Sequence, residues 1–360
     1  MFLYLAIFSI ALIASLCFMP FALIISNRLR AYSEIGGRHV GIKPIGRLGG
    51  LGIVFGIILS SFISFHFDFL FDDRFGVASF QLIGVVLGGV VVGAFGFFDD
   101  VRRLPAVYKL AGQVLGSIIA YGFNLKISGI GLPFFEPIKL GMLSFPATII
   151  WIVVIVNSIN LIDGLDGLAG GVVIFAAVAN FVAATNSGYT MPAILMAGVI
   201  GSVLGFLFFN WHPAKIYLGD GGAYSLGFIL AVSALLGPHQ KASTGIGLLI
   251  PILASGLPIF DTLLTVFRRA INHRSVFSPD RGHLHHVLLD SGISHRRVVI
   301  GLYSVSLIFC STALLLVLNR RRGLGFSLIA FSLIGCLIWC IPVRKKLLAT
   351  SIKIFKNRLQ

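Results

Sequence analysis

Charged residues are scarce in this 360-residue chain, and acidic residues are the scarcest of them. Only 11% of the residues are charged, 13 are acidic and 57% are hydrophobic. With a mean hydropathy of +0.98, this composition excludes a soluble multidomain protein and predicts a polytopic membrane protein. Cysteine is also rare. The four cysteines all lie in apolar runs, which argues against a disulfide framework or a cysteine metal site.

Long apolar runs predict an all-α fold of about eleven transmembrane helices in a single domain, residues 1–360, with the catalytic loops on the cytoplasmic side. Each run is long enough for a helix to cross about 30 Å of hydrocarbon. The first run lacks the basic start and cleavage site of a signal peptide, so we expect it to be retained. The predicted spans are about 3–26, 46–66, 78–98, 106–124, 144–162, 168–185, 191–209, 221–237, 245–267, 298–318 and 324–342.

Basic residues indicate the orientation, because cytoplasmic loops carry an excess of Lys and Arg. With the N-terminus outside, the segments assigned to the cytoplasm hold 21 of the 28 Lys and Arg residues. The three arginines at 320–322, which this topology places outside, disagree with it. The net charge of +15 is explained by contact with anionic lipid, and no folded basic domain is evident that would bind nucleic acid.

Six of the 13 acidic residues fall at or near span ends on this same face, which predicts one shared cleft at the membrane boundary. Asp99 and Asp100 end the third span. Adjacent carboxylates can share a cation, or one can act as a base while the other binds metal. The alternative is a helix cap paired with nearby arginines. The six are Asp99, Asp100, Asp163, Asp166, Asp220 and Asp261.

The segment 157–171 places Asn157, Asn160, Asp163 and Asp166 at three-residue intervals. We expect the helix to end near Asn160, and a glycine-rich turn to bring the two carboxylates back toward the two amides. Backbone N–H groups at the start of the following helix are suited to phosphate. A capped helix–turn–helix, with Asp166 as the N-cap, is the structural alternative.

The segment 210–222 has the same character, because a polar loop follows one span and a glycine cluster opens the next. Asp220, set among these glycines, is suited to a hard cation such as Mg²⁺, with substrate oxygens and water as further ligands. Tyr217 is suited to stacking on a flat base. A glycine-rich hairpin between two helices is the alternative.

The loop after the ninth span contains Arg281, His283, His285 and His286. His283 and His286 have a spacing that permits zinc binding. The neighbouring arginines repel a cation, however, and favour an anion such as pyrophosphate. A solvated loop is the third alternative.

Other charged residues near these motifs have simpler explanations. Lys43 and Arg47 precede the second span, where they either bind substrate or belong to an ordinary positive-inside loop. Asp261 lies inside the ninth span and is expected to form a structural ion pair with Arg268 or Arg269.

The sequence resembles the polyprenyl-phosphate N-acetylhexosamine-1-phosphate transferases, which are related to phospho-N-acetylmuramoyl-pentapeptide transferase. The similar motifs are 97–100, 157–171, 210–222 and 279–286, in the order of the family and across most of the chain. The His-Leu-His-His form of the last motif is similar to the bacterial branch that acts on UDP-N-acetylhexosamines rather than to the muramoyl-pentapeptide branch.

The resemblance implies transfer of an N-acetylhexosamine 1-phosphate, by default GlcNAc 1-phosphate, from a UDP-sugar to undecaprenyl phosphate. UMP is released, and the product would start a lipid-linked cell-envelope glycan. The family also implies Mg²⁺ as cofactor, with Mn²⁺ as an alternative, and the bacterial inner membrane as the location. It leaves open a homodimer, and either covalent attack by Asp99 or simple activation of the lipid phosphate.

The same resemblance implies roles for individual residues. Asp99 would deprotonate or orient the lipid phosphate with support from Asp100, and Asp163 is a further catalytic candidate. Asp220 would bind Mg²⁺, together with Asn160 or Asp163. The substrate-binding candidates are Lys43, Arg47, Asn157, Asp166, Asn210, Tyr217, Arg281, His283, His285 and His286.

Two positions depart from the family pattern. Arg103 stands where many members carry a further aspartate after the pair, which puts lipid handling in doubt. Gly222 and Ala223 replace the usual Gly-Ser after the metal aspartate.

Two other classes of protein compete with the transferase. An ion-coupled transporter also uses intramembrane carboxylates and broken helices, but its carboxylates are expected near the bilayer midplane rather than at one edge. A non-catalytic lipid-binding scaffold would not need so many carboxylates facing cationic loops.

Overall fold

The computed structural model describes residues 1–33, 44–69, 76–130, 138–236, 249–271 and 283–318. The described part of the chain is a helical bundle with one short antiparallel pair of strands, β1 (Gly129–Ile130) and β2 (Ile138–Lys139). Its helices are α1 (Phe2–Leu29), α2 (Gly50–Phe69), α3 (Gly76–Arg102), α4 (Ala106–Gly122), α5 (Ser144–Ile162), α6 (Leu168–Asn186), α7 (Thr190–Asn210), α8 (Gly219–Leu235), α9 (Leu249–Ala254), α10 (Gly256–Ile271), α11 (Leu284–Asp290) and α12 (His295–Leu318).

The helices confirm a polytopic membrane architecture. Among the described residues, six helices are long and apolar enough to cross a membrane. Helices α2, α4 and α8 also coincide with predicted spans, although they fall outside that group of six. The predicted span 324–342 and the arginines at 320–322 lie outside the described residues, so the count of eleven stays a prediction.

The predicted ninth span is broken into α9 and α10 at Ser255. Pro258 explains the break, because proline has no N–H to donate to the carbonyl of Ala254 four residues earlier. The thiol of Cys310 on α12 lies 3.4 Å from that carbonyl oxygen and donates to it instead. One long apolar run therefore becomes two helices without an unsatisfied carbonyl at the break.

Helix α8 lies at the centre of the bundle, with nearly all of its residues buried. It packs against α2, α3 and α5. The approach to α2 is closest at Gly50 and Gly222, where a Cβ built on either residue would overlap the backbone of the other. Glycine lets two backbones meet in this way, and close packing of small residues is a main source of helix association in membranes.

The segment before α2 pairs with the segment before α8, and this brings several helix ends together. Tyr217 donates its backbone N–H to the Gly46 carbonyl and accepts from Gly49, at 2.8 and 2.9 Å. Gly50 donates to Leu218 in the same way, at 2.9 Å. The start of α8 is thereby fixed beside Arg47, at the end of the bundle where the predicted motifs meet.

The contact between Gly50 and Gly222 predicts that alanine at position 50 destabilises the protein more than alanine at a glycine outside such a contact. Gly50→Ala is expected to lower the free energy of unfolding by about 1–3 kcal/mol, because the new methyl group overlaps the α8 backbone. Thermal unfolding in detergent measures the loss. Gly122→Ala at the end of α4 is the control, since a Cβ there meets no atom of the described residues within 4 Å. An equal loss in both variants would contradict this account of the packing.

Candidate active site

The first turn of α8 is held by Asp100, which lies on α3 and is buried. Its Oδ1 accepts the backbone N–H of Asp220 and its Oδ2 accepts that of Gly221, each at 2.9 Å. The first N–H groups of a helix have no partner within the helix, and the positive end of the helix dipole favours a carboxylate there. Gly219, with φ of 76°, turns the chain into this position. Asp100 therefore fixes where Asp220 lies.

Asp220 is the centre of a cluster drawn from four separate segments. Arg47 lies 3.2 Å from its Oδ1, and Lys109 on α4 lies 3.0 Å from its Oδ2. The side-chain amide of Asn160, near the end of α5, donates to Oδ1 at 3.1 Å. One carboxylate thus joins α4, α5 and α8 to the segment before α2.

The two cations each bridge a pair of carboxylates. Arg47 also lies 3.2 Å from Asp100. Lys109 lies 2.6 Å from Asp99. Burial disfavours the charge of Arg47, but the carboxylates of Asp100 and Asp220 outweigh burial and raise the pKa of Arg47 above its ordinary value. Three carboxyl groups therefore face two cations in this cluster.

The adjacent aspartates have different surroundings. Asp100 is bound to backbone N–H groups of another helix, whereas Asp99 accepts the N–H of Leu104 at 2.6 Å and faces Lys109. The carboxylates of Asp99 and Asp220 are close enough to share a hydrogen bond when one of them carries a proton. Asp99 is therefore the member of the pair whose proton has a nearby acceptor, as an acid–base group requires.

Helix α5 ends at Ile162, two residues after the predicted end, and Asp163 follows it as the C-cap residue. Burial, with a further contribution from the Asp220 carboxylate, raises the pKa of Asp163 to about 7. Within the described part of the chain, Asp163 makes no ion pair. The turn therefore brings Asp163 close enough to Asp220 to feel its charge but leaves it without a direct counter-ion among the described residues.

Asn157 reaches the cluster indirectly. Its Nδ2 donates to Gln113 Oε1 on α4 at 2.6 Å. Gln113 in turn bonds to the Tyr224 hydroxyl, which lies 3.5 Å from Asp220. Asn157 therefore supports residues around Asp220 through a buried polar chain.

Asp166, Asn210 and Tyr217 lie together on the other side of the turn. Asn210 accepts the Gly167 N–H at 2.9 Å and donates to the Ile216 carbonyl at 2.8 Å. Asp166 accepts the Ala214 N–H at 3.1 Å and contacts His212 at 2.8 Å. The expected return of Asp166 toward Asn157 and Asn160 is thus wrong, because these contacts hold it against the loop before α8.

Burial, with a contribution from Asp166, raises the pKa of Tyr217 to about 12. The phenol therefore stays neutral at physiological pH and can act as a hydrogen-bond donor.

The histidine motif packs against the same turn. His285 is buried, and its ring lies so close to Gly164 that any side chain there would overlap it. His286 lies beside His285, with ring centroids 4.2 Å apart. The predicted loop between spans therefore contributes buried side chains next to Asp163.

Asp261 has a different partner from the one expected. The sequence favoured an ion pair with Arg268 or Arg269, whereas the structure pairs its Oδ2 with His283 Nδ1 at 3.0 Å. Its Oδ1 accepts the Leu284 N–H at 3.0 Å, so it holds the start of α11. The arginines were expected as partners because they follow Asp261 on the same helix, α10. In the structure, the chain after α10 instead brings His283 against the buried Asp261 carboxylate.

Two predicted residues, Lys43 and Arg281, lie outside the described residues. Lys109, Gln113 and Tyr224 were missed. The signal at Lys109 was ambiguous. A charged side chain inside an apolar span is commonly functional, whereas a lysine near the start of a span also fits the positive-inside rule. Gln113 and Tyr224 gave no comparable signal, since their contribution depends on the packing of α4 against α5 and α8.

The donor chemistry of the cluster fits Mg²⁺. Carboxylate and amide oxygens from Asp220, Asp163 and Asn160 are ligands that Mg²⁺ prefers. These oxygens do not form a closed cage. In the described ranges, the group with three ligand atoms within 4.8 Å of one another lies elsewhere, at Asp166, His212 and His295. Such openness suits Mg²⁺, which commonly keeps waters and takes substrate oxygens as ligands.

Comparison with known proteins identifies the relationship of this region. Residues 82–237 match glycosyl transferase family 4. This match contains the aspartate pair and the motifs 157–171 and 210–222, and it confirms the resemblance predicted from them.

Several curated proteins are similar to part of this chain. A probable undecaprenyl-phosphate N-acetylglucosaminyl 1-phosphate transferase of Bacillus subtilis (strain 168) is 38% identical over 193 residues, 53% of this chain and 54% of that protein. A decaprenyl-phosphate N-acetylglucosaminephosphotransferase of Mycobacterium tuberculosis (strain ATCC 25618 / H37Rv) is 42% identical over 125 residues, 32% of this chain and 31% of that protein.

A phospho-N-acetylmuramoyl-pentapeptide-transferase of Desulforamulus reducens is 34% identical over 164 residues, 44% of this chain and 46% of that protein. The chain thus spans about half the length, or less, of the curated relatives it matches.

The contrast between the adjacent aspartates predicts unequal losses of stability. Asp100→Asn is expected to lower the free energy of unfolding by roughly 3 kcal/mol, because one backbone N–H and Arg47 lose a buried partner. Asp99→Asn is expected to cost only about 1 kcal/mol, because it also relieves repulsion with Asp220. Thermal unfolding in metal-free detergent compares the two. A larger loss in Asp99→Asn would contradict the assignment of Asp100 as the residue that fixes α8.

The raised pKa of Asp163 predicts a pH-dependent effect on stability. At pH values between 3.8, the ordinary pKa of the carboxyl group, and about 7, the folded protein holds the Asp163 proton more tightly than the unfolded chain does. Stability therefore falls as the pH rises through that window. Asparagine cannot ionise, so Asp163→Asn is expected to raise the unfolding temperature by a few degrees near pH 8 and by less near pH 5, without metal. Added Mg²⁺ should stabilise the wild type more than the variant. A pH-independent difference would count against this carboxyl group.

Proposed function

We propose that this protein transfers an N-acetylhexosamine 1-phosphate, by default GlcNAc 1-phosphate, from a UDP-sugar to undecaprenyl phosphate and releases UMP. The observation that carries the proposal is the cluster at the start of α8, where Asp99, Asp100 and Asp220 meet Arg47 and Lys109. Such a site can hold and neutralise phosphates at the end of a membrane bundle. The names of the relatives support the same chemistry, with polyprenyl-phosphate acceptors and an N-acetylglucosamine phosphate.

Phosphoryl transfer depends mainly on positioning and charge neutralisation. An oxygen of the lipid phosphate forms a bond to the sugar-bearing phosphorus, and the bond to the UMP oxygen breaks with its electron pair. Asp99 takes the proton of the lipid phosphate or orients that group. Lys109, which is placed between Asp99 and Asp220, is positioned to hold an anionic oxygen beside Asp99.

Asp220 would hold Mg²⁺ together with Asn160 or Asp163, with Mn²⁺ as the alternative metal. When bound, the metal supplies charge neutralisation at the transferring phosphoryl group. Asp100 acts through Asp220, because it fixes the turn of α8 on which Asp220 lies. Asn157 supports the same carboxylate through Gln113 and Tyr224.

We assign the donor to the two motifs around the turn 163–167. Asp166 and Tyr217 would contact the uridine, while Asn210 would shape that region through its two backbone hydrogen bonds. His283, His285 and His286, with Arg281 and Lys43 from outside the described residues, would bind the pyrophosphate or the sugar. His285 packs on Gly164, so the pyrophosphate would lie close to Asp163.

The proposed location is the bacterial inner membrane, with eleven spans and the site on the cytoplasmic face. The distribution of Lys and Arg supports this orientation. An ion-coupled transporter fits less well, because its carboxylates would lie near the middle of spans, whereas these lie at the ends of α3 and α5 and at the start of α8. The product would begin a lipid-linked glycan of the cell envelope.

Release of UMP from purified full-length protein tests the proposal. With undecaprenyl phosphate, a panel of UDP-N-acetylhexosamines and Mg²⁺, the wild type is expected to release UMP with one or more donors. Asp99→Asn and Asp220→Asn are each expected to lower the rate by about 100-fold or more, because each removes a charged group that faces the phosphates. Asp290→Asn, at an exposed position on α11, is the control.

This comparison requires that each variant is folded, as judged by its elution volume and by its thermal unfolding transition. Full activity in either Asp99→Asn or Asp220→Asn would defeat the site assignment. No UMP from any donor, with a folded wild-type protein and Mg²⁺, would defeat the function.

A further inference from the structure

We propose a second metal site, for Zn²⁺ or a similar borderline transition ion, formed by Asp166, His212 and His295. The three residues come from separate parts of the fold: the turn between α5 and α6, the loop between α7 and α8, and the first residue of α12. Each offers one ligand atom, and these atoms all lie within 4.8 Å of one another. The proposed transfer reaction assigns Asp166 to the uridine, but it requires no metal ion at this position.

The separation of the two imidazole nitrogens suits a tetrahedral ion, since His295 Nδ1 lies 3.3 Å from His212 Nδ1. His212 Nδ1 lies 2.8 Å from Asp166 Oδ2, a hydrogen-bond distance that a bound ion would lengthen. With metal–nitrogen bonds of about 2.0–2.1 Å, two ligands of a tetrahedral zinc ion lie about 3.3 Å apart. The two imidazoles therefore already stand at the separation that zinc would impose.

Hydrogen bonding alone satisfies this arrangement poorly. Three atoms that can act as acceptors converge on one small volume. If His212 carries its proton on Nδ1, it can donate that proton to Asp166 or share it between Asp166 and His295. If both histidines carry a proton on Nδ1, the two protons face each other and repel. A divalent cation would satisfy all three lone pairs at once. The His212 and His295 rings meet edge to face with centroids 4.2 Å apart. This aromatic contact explains why the rings pack together, but it does not explain why both Nδ1 atoms lie near a carboxylate.

The surroundings resemble those of a site that an ion can enter. His212 is exposed, while Asp166 and His295 are partly buried. The Ala214 N–H donates to Asp166 Oδ2 at 3.1 Å and orients that carboxylate, as groups around metal ligands commonly do. Two imidazoles and one carboxylate form a donor set typical of zinc with an open fourth position, whereas Mg²⁺ prefers oxygen ligands. The two sites should therefore select different ions.

Metal retention tests the proposal without any substrate. Full-length protein in detergent, stripped with a chelator, is dialysed against Zn²⁺ in excess Mg²⁺, and the bound zinc per chain is measured. The wild type is expected to retain one Zn²⁺. His212→Ala and His295→Ala are each expected to weaken zinc binding by at least about 100-fold. Arg296→Ala keeps all three ligands and should bind at least as well as the wild type.

A spectroscopic measurement on the wild type tests the site even if a histidine variant fails to fold. Co²⁺ in place of Zn²⁺ is expected to give the intense visible absorption of a tetrahedral site in the wild type and in Arg296→Ala. No retained zinc, no such spectrum, or zinc that is lost in His283→Ala but kept in His212→Ala would each overturn the proposal. Since no donor or lipid is present, the outcome does not depend on whether the transferase proposal is correct.

Discussion

The candidate site depends on the attachment of Asp100 to the first turn of α8. This carboxylate accepts two backbone N–H groups that the helix cannot satisfy itself, and it joins α3 to α8 in doing so. Asp220 then lies within ion-pair distance of Arg47 and Lys109. The close contact of Gly50 with Gly222 brings α2 and the preceding Arg47 into reach. Backbone packing therefore comes first, and the charged cluster follows from it.

The carboxylates of the cluster repel one another, and other interactions in the fold have to offset this repulsion. Asp99 and Asp220 lie close together, and Asp163 adds a further carboxyl group whose pKa is raised by its surroundings. Arg47 and Lys109 neutralise only part of this charge. Removing a buried charge from its partner is costly, so each member of the cluster restrains the others. A site of this kind is less stable than an apolar one would be, and it is suited to receive a cation and then phosphates.

Much of this was predictable because charge is scarce in the chain. Asp99, Asp163 and Asp220 stood out at span ends, and the structure brings them to one end of the bundle. The break at Ser255 was also available from Pro258, although length and hydropathy favoured one continuous span. Lys109 was harder to recognise, because a lysine near the start of a span also fits the positive-inside rule. His212 and His295 could not be paired from a sequence in which 83 positions separate them.

The turn between α5 and α6 explains how two different sites can form side by side. Asp163 at its start faces the oxygen-rich cluster, whereas Asp166 three residues later faces the imidazoles of His212 and His295. Gly164 between them leaves room for the His285 ring. A regular helix would place residues three apart on the same side, so the glycine turn is what separates the two carboxylates. The backbone conformation of this turn, rather than the identity of either aspartate, determines which side chains surround each carboxylate.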